Sequence, residues 1–403
     1  MTSPVTVSLD RQLSVALDAA VAGRGLSREA AICLLNPSAP LEPLLAAAGE
    51  LRDRGKGKTV TYSRKVFLPL TNLCRDRCGY CTFRRDPGDS DGWIMTPEHV
   101  LSVVEKGARL GCTEALFSLG DAPEAAFPEA RAMLQELGYR RTLEYLRAIC
   151  ALVLERSPLF PHANAGVMGE PDLRALKPVN ASMGLMLESA SPRLLEPGGP
   201  HHGAVTKHPR IRLRVIELAG QMRIPFTTGL LIGIGETPEE RVDSLLAIRA
   251  LHERYGHIQE VIIQNFRAKP TIPMHDHPEP TLEEMLRTTA VARLILGVSM
   301  NLQAPPNLTQ DYGRLLDAGI NDWGGVSPLT RDFINPEAPW PHLNALRETT
   351  EARGFLLRQR LPVYPEYILD QRQYLPPELA ERIRTSVDSD GLVPDNATAD
   401  ERR

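Results

Sequence analysis

The sequence predicts a closed barrel of eight parallel β-strands, with a helix after each strand, between residues 61 and 340. Two observations support this fold: short strand-like runs alternate with amphipathic helical stretches, and eight such units follow one another. A barrel of this type needs roughly 250 residues, which the segment supplies. A doubly wound open sheet is the alternative, but eight units in succession favour closure.

The eight predicted strands are short runs of mainly apolar residues. In chain order they cover residues 65–70, 114–119, 162–167, 181–188, 224–232, 259–266, 298–303 and 320–323. Active sites of such barrels lie on the loops that follow the carboxyl ends of the strands. Residues that directly follow a strand are therefore the first candidates for function.

The helices between these strands have recognisable starts. Thr96-Pro97-Glu98 and Thr237-Pro238-Glu239 each combine an N-cap threonine, a proline at the first helical position and an acidic residue in the first turn. The second of these helices is expected to run to Tyr255. The remaining helices are predicted over residues 142–155, 205–221, 282–296 and 341–353.

Outside the barrel we expect three further segments. Residues 1–60 form an N-terminal helical extension, with a helix start at Ser27-Arg28-Glu29, and residues 341–385 form a C-terminal extension that covers the barrel. Residues 386–403 are polar and charged, with almost no large apolar residue, and are predicted to be disordered.

Composition restricts the class of protein. A net charge of −4 and a pI near 6.2 argue against a nucleic-acid-binding surface. The longest apolar stretches, such as residues 229–235, are far too short to span a bilayer, so no membrane partner is expected. Six cysteines in 403 residues are sparse, and the N-terminus lacks the features of a signal peptide. We therefore expect a cytoplasmic protein with reduced thiols rather than three disulfides.

Three cysteines, Cys74, Cys78 and Cys81, follow the first strand with the spacing C-x3-C-x2-C. One loop with this spacing can hold three corners of a four-iron cluster. Cluster irons are normally held by four Cys thiolates, so the fourth iron is left for another ligand. An open coordination position is typical of a catalytic metal site rather than a structural one.

Zinc is the alternative occupant of this loop. Structural zinc takes four ligands, usually in two pairs, and the nearest histidine to the loop is His99. A zinc-bearing protein without catalytic activity is therefore the competing class. Cys33, Cys112 and Cys150 lie in apolar or helical contexts and are interpreted as small buried residues.

Polar residues and glycines follow several of the other strands. Asp121 can accept hydrogen bonds from an ammonium group, and a carboxylate such as Glu188 is a natural partner for a pair of sugar hydroxyls. Glycines allow the backbone to approach a flat ligand closely. The candidates are Gly120 and Asp121 after strand two, Glu188 after strand four, Gly233 and Gly235 after strand five, Gln264, Asn265, Arg267 and Lys269 after strand six, and Asn321 and Asp322 at the end of strand eight.

The cysteine motif, with the aromatic Tyr80 before its last cysteine, resembles the radical S-adenosylmethionine superfamily. A closer resemblance, over about residues 61–370, is to the CofG subunit family, which forms 7,8-didemethyl-8-hydroxy-5-deazariboflavin (FO). One departure is that Leu119-Gly120-Asp121 stands where the superfamily usually has Gly-Gly-Glu. The resembling stretches cover residues 67–81, 120–121, 229–236, 264–270, 303–307, 319–325 and 335–337.

The resemblance implies a [4Fe–4S] cluster on Cys74, Cys78 and Cys81, with S-adenosylmethionine on the open iron. One electron from the reduced cluster would cleave this cofactor to methionine and a 5′-deoxyadenosyl radical. The implied cofactor contacts are Tyr80, Gly120, Asp121, Glu188, Gly233 and Gly235. The implied candidates for binding the uracil and ribityl groups of the substrate are Gln264, Asn265, Arg267, Lys269, Asn321 and Asp322.

The resemblance also implies the reaction. The radical would take a hydrogen from an adduct of a tyrosine-derived hydroxybenzyl group and 5-amino-6-ribitylaminouracil. Ring closure, loss of ammonia and return of one electron would then give FO, which makes the enzyme a lyase. The implied partners are a CofH-type radical enzyme that supplies the adduct and an electron donor such as a ferredoxin or flavodoxin. The nearest rival is a related radical enzyme that acts on another tyrosine- or nucleobase-derived adduct.

Overall fold

The computed structural model describes residues 4–370 and 374–395 of the chain. Eight parallel strands form a closed barrel, because β1 pairs on one side with β2 and on the other with β8. The predicted barrel fold is therefore confirmed. The strands are β1 Thr59–Leu68, β2 Glu114–Ser118, β3 Phe160–Asn164, β4 Ser182–Gly184, β5 Phe226–Ile232, β6 Ile258–Asn265, β7 Leu302–Gln303 and β8 Asp322–Val326.

Most helices lie on the outside of the barrel between successive strands. Thr96 caps α4, and Thr237 and Thr281 form capping boxes at the starts of α10 and α11. The helices are α1 Pro4–Ala19, α2 Arg28–Leu35, α3 Leu41–Lys56, α4 Pro97–Arg109, α5 Pro123–Ala126, α6 Pro128–Glu136, α7 Thr142–Arg156, α8 Glu170–Leu176, α9 Pro209–Gln221, α10 Pro238–Tyr255, α11 Leu282–Leu296, α12 Leu343–Glu351, α13 Pro365–Leu369 and α14 Pro377–Arg384.

The N-terminal helices cover one side of the barrel. Helices α2 and α3 pack on α11, whose fifteen residues are all buried except its first three. The Arg287 guanidinium of α11 is buried and donates hydrogen bonds to the carbonyls of Pro37 (3.1 Å) and Ala39 (2.8 Å). Cys33 on α2 is exposed, so its interpretation as a buried residue is wrong.

A ninth strand, β9 Leu356–Arg360, pairs with the amino-terminal half of β1. The chain after it packs beneath the amino ends of β3 and β4, where Tyr364 and Ile368 share a small core with Phe160. The carbonyl of Pro362 accepts hydrogen bonds from Ser182 Oγ (2.6 Å) and Gln259 Nε2 (3.0 Å). The C-terminal segment therefore closes the bottom of the barrel and leaves the opposite mouth for ligands.

The segment that was expected to be disordered from Ser386 is ordered over its first ten residues. Leu392 is buried, the Val393 amide donates to the Gln359 carbonyl (3.0 Å), and Arg358 pairs with Asp388 (2.7 Å). The prediction of disorder was wrong for these residues because it was based on the average composition of residues 386–403, in which a few apolar side chains lie among charged ones. Residues 396–403 lie outside the described part of the chain.

None of the described helices has the length and hydropathy that crossing a membrane requires.

Candidate active site

The three cysteines lie on the long loop between β1 and α4, and this loop is fixed by its own hydrogen bonds. Buried Asn72 accepts from the Trp93 amide (2.8 Å) and donates to the Asp91 carbonyl (2.7 Å). Thr71 Oγ1 donates to the Trp93 carbonyl (2.7 Å). The start and end of the loop are thereby tied together, so the cysteines are carried on a closed frame.

All three cysteines line one cavity of about 230 Å³ at the carboxyl ends of the strands. Burial raises the pKa of the Cys74 thiol to about 12 and that of Cys78 to about 11. Both groups are therefore neutral thiols at neutral pH. They lose their protons when a bound cation compensates the negative charge of the thiolates. Cluster irons provide such compensation, so this set of half-buried thiols fits an iron–sulfur cluster.

The described part of the chain contains no set of ligands for the alternative occupant, a single zinc ion. No three His, Cys, Asp or Glu side chains there are grouped closely enough to hold one metal ion. Three thiolates that each bind a different iron stand further apart than ligands around a single zinc. The thiol arrangement is therefore consistent with a multinuclear cluster.

Gly120 is needed because the loop after β2 passes directly over the cysteine loop. A Cβ atom at this position would lie 2.0 Å from the Leu73 carbonyl oxygen and 2.8 Å from Cys74 Cβ. The Gly120 amide donates to the Thr71 carbonyl (2.8 Å), and the next amide, that of Asp121, donates to Cys74 Sγ (3.2 Å). The backbone of the β2 loop thus positions the first cysteine.

Asp121 braces the site rather than presenting a free carboxylate. Its Oδ1 accepts from the Arg75 guanidinium (2.8 Å) and its Oδ2 from the Val167 amide (2.7 Å). Burial raises the pKa of this carboxyl, and the Val167 amide and Arg75 oppose that rise. Gly166 makes the contact feasible, because a Cβ there would lie 2.3 Å from Asp121 Oδ2. Asp121 lines the cavity, and its two oxygens tie the cysteine loop to the loop after β3.

Glu188 and Tyr80 both lie on the wall of the cysteine cavity. Glu188 has a left-handed backbone (φ 64°) and pairs with Lys207 at 2.6 Å. The Lys207 ammonium also lies 5.7 Å from the Tyr80 ring, and the Tyr80 hydroxyl is 3.1 Å from His201 Nε2. Lys207 and His201 were not predicted, because no strand end or motif marks them in the sequence.

Gly233 and Gly235 do not line the cysteine cavity, to which β5 contributes Leu231. They shape the turn between β5 and α10, with φ values of 85° and 102°. The Glu236 carboxylate closes this turn by accepting from the amides of Gly233 (2.8 Å) and Ile234 (2.9 Å). The structure therefore explains both glycines by backbone conformation.

The four polar residues at and after the end of β6 all line the cysteine cavity, with Gln264 and Asn265 on the strand and Arg267 and Lys269 on the loop that follows. The buried Lys269 ammonium donates to Asn335 Oδ1 (2.8 Å), and the Arg267 guanidinium donates to the Leu308 carbonyl (3.1 Å). Asn265 Oδ1 is buried and has no hydrogen-bond partner. A buried acceptor without a donor indicates a place where a ligand supplies one.

Asn321 and Asp322 lie elsewhere, and their predicted place at the mouth is wrong. β8 begins at Asp322 instead of ending there, so both residues are at the amino-terminal end of the barrel. Asn321 Oδ1 accepts from Arg293 (2.8 Å) and from the Leu302 amide (2.9 Å). Asp322 forms a buried ion pair with Arg360 at 2.6 Å. The short run at 320–323 misplaced the strand because its first apolar residue, Ile320, precedes the true strand and the glycines that continue the strand carry no apolar signal.

A second cavity of about 170 Å³ lies deeper inside the barrel and shares wall residues, such as Ser118 and Asn164, with the cysteine cavity. We call it the inner cavity. Its wall is unusually polar for a barrel interior and contains Lys65, Glu114, His162, Thr227, Glu260, Gln303, Asp332 and Arg360. These residues were not predicted as a site, although charged residues within predicted strands were a visible signal for some of them.

His162, on the wall of the inner cavity, makes the free energy of unfolding of the chain depend on pH. Burial lowers its pKa from 6.5 to about 4, with Arg360 and Lys65 acting in the same direction and Glu114 opposing them. The folded state therefore binds this proton more weakly than the unfolded chain does. The contribution of His162 to the free energy of unfolding is fully present above pH 6.5. It falls by about 3 kcal/mol as the pH drops towards 4.

The measurement is chemical unfolding of the wild type and of His162→Asn between pH 4 and pH 8. The difference between the two free energies of unfolding should shrink as the pH falls, because only the wild type loses the His162 contribution. Parallel pH profiles would contradict this assignment.

Comparisons with known proteins agree with this geometry. A family model described as the radical SAM superfamily matches residues 68–248. The chain is 52% identical over 335 residues to the 7,8-didemethyl-8-hydroxy-5-deazariboflavin synthase of Methanopyrus kandleri, covering 83% of this chain and 99% of that relative. It is 49% identical over 412 residues to the FO synthase of Streptomyces avermitilis, covering 99% of this chain. This chain spans 47% of the length of that second relative.

Solved structures support the same fold. The FeFe-hydrogenase maturase HydG from Carboxydothermus hydrogenoformans superposes with a TM-score of 0.72 at 18% identity, over 94% of this chain and 87% of HydG. Methylornithine synthase (PylB) superposes with a TM-score of 0.67 at 18% identity, over 85% of this chain and 96% of PylB. At these identities the likeness concerns the barrel fold alone.

Proposed function

Because this chain belongs to the 7,8-didemethyl-8-hydroxy-5-deazariboflavin synthase family of the radical S-adenosylmethionine superfamily, we propose that it carries out the ring closure that forms FO. Membership makes the chain a radical enzyme of deazaflavin biosynthesis, with a [4Fe–4S] cluster and S-adenosylmethionine as its cofactors. The proposed substrate is the adduct of a hydroxybenzyl group and ribitylaminouracil. The proposed reaction releases ammonia, which makes the enzyme a lyase.

The observation that carries this proposal is the shared cavity. Three half-buried thiols and the polar residues at and after the end of β6 line one cavity of about 230 Å³. A radical enzyme must place its cofactor and its substrate side by side and away from water. One cavity lined by both sets of residues meets that requirement.

We assign the cluster to Cys74, Cys78 and Cys81. When bound, the cluster and S-adenosylmethionine supply the radical that removes a hydrogen atom from the substrate. Tyr80 and Glu188, on the wall beside the thiols, are the proposed contacts of S-adenosylmethionine. Asp121 positions the cysteine loop through Arg75 rather than binding the cofactor with a free oxygen.

On the substrate side, the proposed contacts are Gln264, Asn265, Arg267 and Lys269. Asn265 offers a buried acceptor, and Lys269 offers an ammonium that Asn335 and Glu337 hold in place at 2.8 and 3.7 Å. Donors and acceptors in fixed positions can orient the uracil edge of the adduct. The adduct itself is proposed to come from a CofH-type partner, and the electron from a ferredoxin or flavodoxin.

The test is a coupled assay with the anaerobically reconstituted chain. The mixture contains S-adenosylmethionine, a chemical reductant, a CofH-type enzyme, tyrosine and 5-amino-6-(D-ribitylamino)uracil. We expect FO fluorescence to appear only when this chain is added, together with additional ammonia and additional 5′-deoxyadenosine above the amounts that the partner enzyme produces alone.

The rival activity is distinguished by the same assay. A related radical enzyme for another adduct would release 5′-deoxyadenosine, in an uncoupled reaction, without forming FO. Release of 5′-deoxyadenosine without FO, in a mixture whose partner enzyme is shown to produce the adduct, would contradict the proposed function.

A further inference from the structure

Lys65 is a buried cation that forms neither an ion pair nor a hydrogen bond in the described part of the chain. It lies on β1 within the barrel, and only 7% of its surface is exposed. The contacts of its ammonium are the rings of Trp340 and Phe67, whose centroids lie 4.6 and 5.6 Å from Nζ. Burial lowers its pKa, while the charges of Glu114, Asp332 and Glu260 oppose that change. Buried lysines are rare unless paired, so this one requires an explanation.

The neighbouring carboxylates are already occupied by other donors. Glu114 accepts from Ser63 Oγ, and Glu260 accepts from Thr227 Oγ1 (2.9 Å) and from the Tyr364 hydroxyl (2.9 Å). Glu260 also pairs with Arg360 at 3.2 Å. The Lys65 ammonium is therefore left to face the inner cavity.

The backbone opposite Lys65 is shaped to make room for its side chain. A Cβ atom at Gly325 would lie 2.3 Å from Lys65 Cδ and 2.6 Å from Lys65 Nζ. The Trp340 ring lies on another side, with its centroid 4.6 Å from Nζ. Gly325 and Trp340 together hold the ammonium in one position on the cavity wall.

A second unpartnered polar group lines the same cavity. Gln303 Oε1 is buried and has no hydrogen-bond partner, although its Nε2 lies 3.4 Å from the Trp323 carbonyl. The inner cavity thus offers a cationic donor from Lys65 and an acceptor from Gln303, both unsatisfied. It connects to the cysteine cavity through shared wall residues that include Met186 and Gln264.

We propose that the inner cavity binds the polyhydroxylated chain of the substrate, and that Lys65 donates a hydrogen bond to one of its hydroxyl oxygens. Each hydroxyl group both donates and accepts hydrogen bonds. A short chain of hydroxyl groups can therefore bind an ammonium, a glutamine oxygen and a carboxylate along its length. This assignment rests on the proposed function, because it places the ribityl end of that substrate below the reacting carbons.

The test is fluorescence titration of the cluster-loaded chain with FO and with its 10-methyl analogue, which has a methyl group instead of the ribityl chain. Wild type should bind FO at least about tenfold more tightly than the analogue. Lys65→Met should lose about tenfold or more in affinity for FO, since a hydrogen bond to a charged donor is removed, and should bind the analogue unchanged. Gly325→Ala should have the same effect by displacing the ammonium.

Lys56→Met is the matched control, because Lys56 is also a buried lysine but pairs with Glu366 outside both cavities. It should bind FO like the wild type. The iron content and cluster absorbance of Lys65→Met should equal those of the wild type, which shows that the cysteine cavity is intact.

Unchanged FO affinity in Lys65→Met, or an equal loss for FO and the analogue, would overturn the assignment. A wild type that forms FO but binds FO and the analogue equally would overturn it as well. A chain that releases 5′-deoxyadenosine but forms no FO would instead contradict the proposed function.

Discussion

Replacing Cys78 with alanine is expected to abolish both the cluster and the release of 5′-deoxyadenosine. Two thiols then remain for a cluster that needs three from this loop, because no other cysteine lines the cavity. After anaerobic reconstitution, the visible absorbance of the variant should be at the level of the protein without iron. The release of 5′-deoxyadenosine should fall to background.

Cys33→Ala is the control for this experiment. Cys33 is a free, exposed thiol on α2, so its loss should leave iron content and turnover unchanged. A Cys78→Ala variant that retains a full cluster and wild-type turnover would remove the cysteine loop from the mechanism.

Replacing Gly120 with alanine is expected to have the second-largest effect. The new Cβ would lie 2.0 Å from the Leu73 carbonyl oxygen, and a backbone atom cannot rotate away as a side chain can. The clash is relieved only if Leu73 shifts, and Cys74, the next residue, shifts with it. Overpacking of this kind costs about 1–3 kcal/mol, and here the strain falls on a cluster ligand. We expect less than half of the wild-type iron content after reconstitution and a lower thermal midpoint.

Gly49→Ala provides the matched control. Gly49 lies inside α3, where a Cβ atom would meet its nearest neighbours at an ordinary 3.8 Å. An alanine in a helix interior should stabilise the chain by about 0.5–1 kcal/mol and leave the cluster unaffected. If Gly120→Ala took up iron as fully as Gly49→Ala does, the close approach at Gly120 would not be needed for cluster binding.

The barrel could be predicted because its signals are local. Pro97 and Pro238 each follow an N-cap threonine, and both helices begin at those prolines. The cysteine spacing is also local, since one loop carries all three thiols. Sequence therefore located most of the barrel strands, most helices and the loop that carries the three cysteines, whereas the eighth strand was misplaced.

The remaining features depend on contacts between distant residues. The sequence of β9 (Leu356–Arg360) has the pattern of a polar segment. It forms a strand only because the amino-terminal half of β1 extends beyond β2 and is free to pair with it. Asp121 was expected to meet a ligand, but Arg75 and Val167 take its oxygens. The inner cavity likewise arises from charges on separate strands, which no single stretch of sequence brings together.

Metal analysis of the purified chain after anaerobic reconstitution tests the central claim most directly. The account predicts about four iron atoms and four acid-labile sulfides per chain, bound through Cys74, Cys78 and Cys81. One zinc per chain, with iron and sulfide absent, would contradict it.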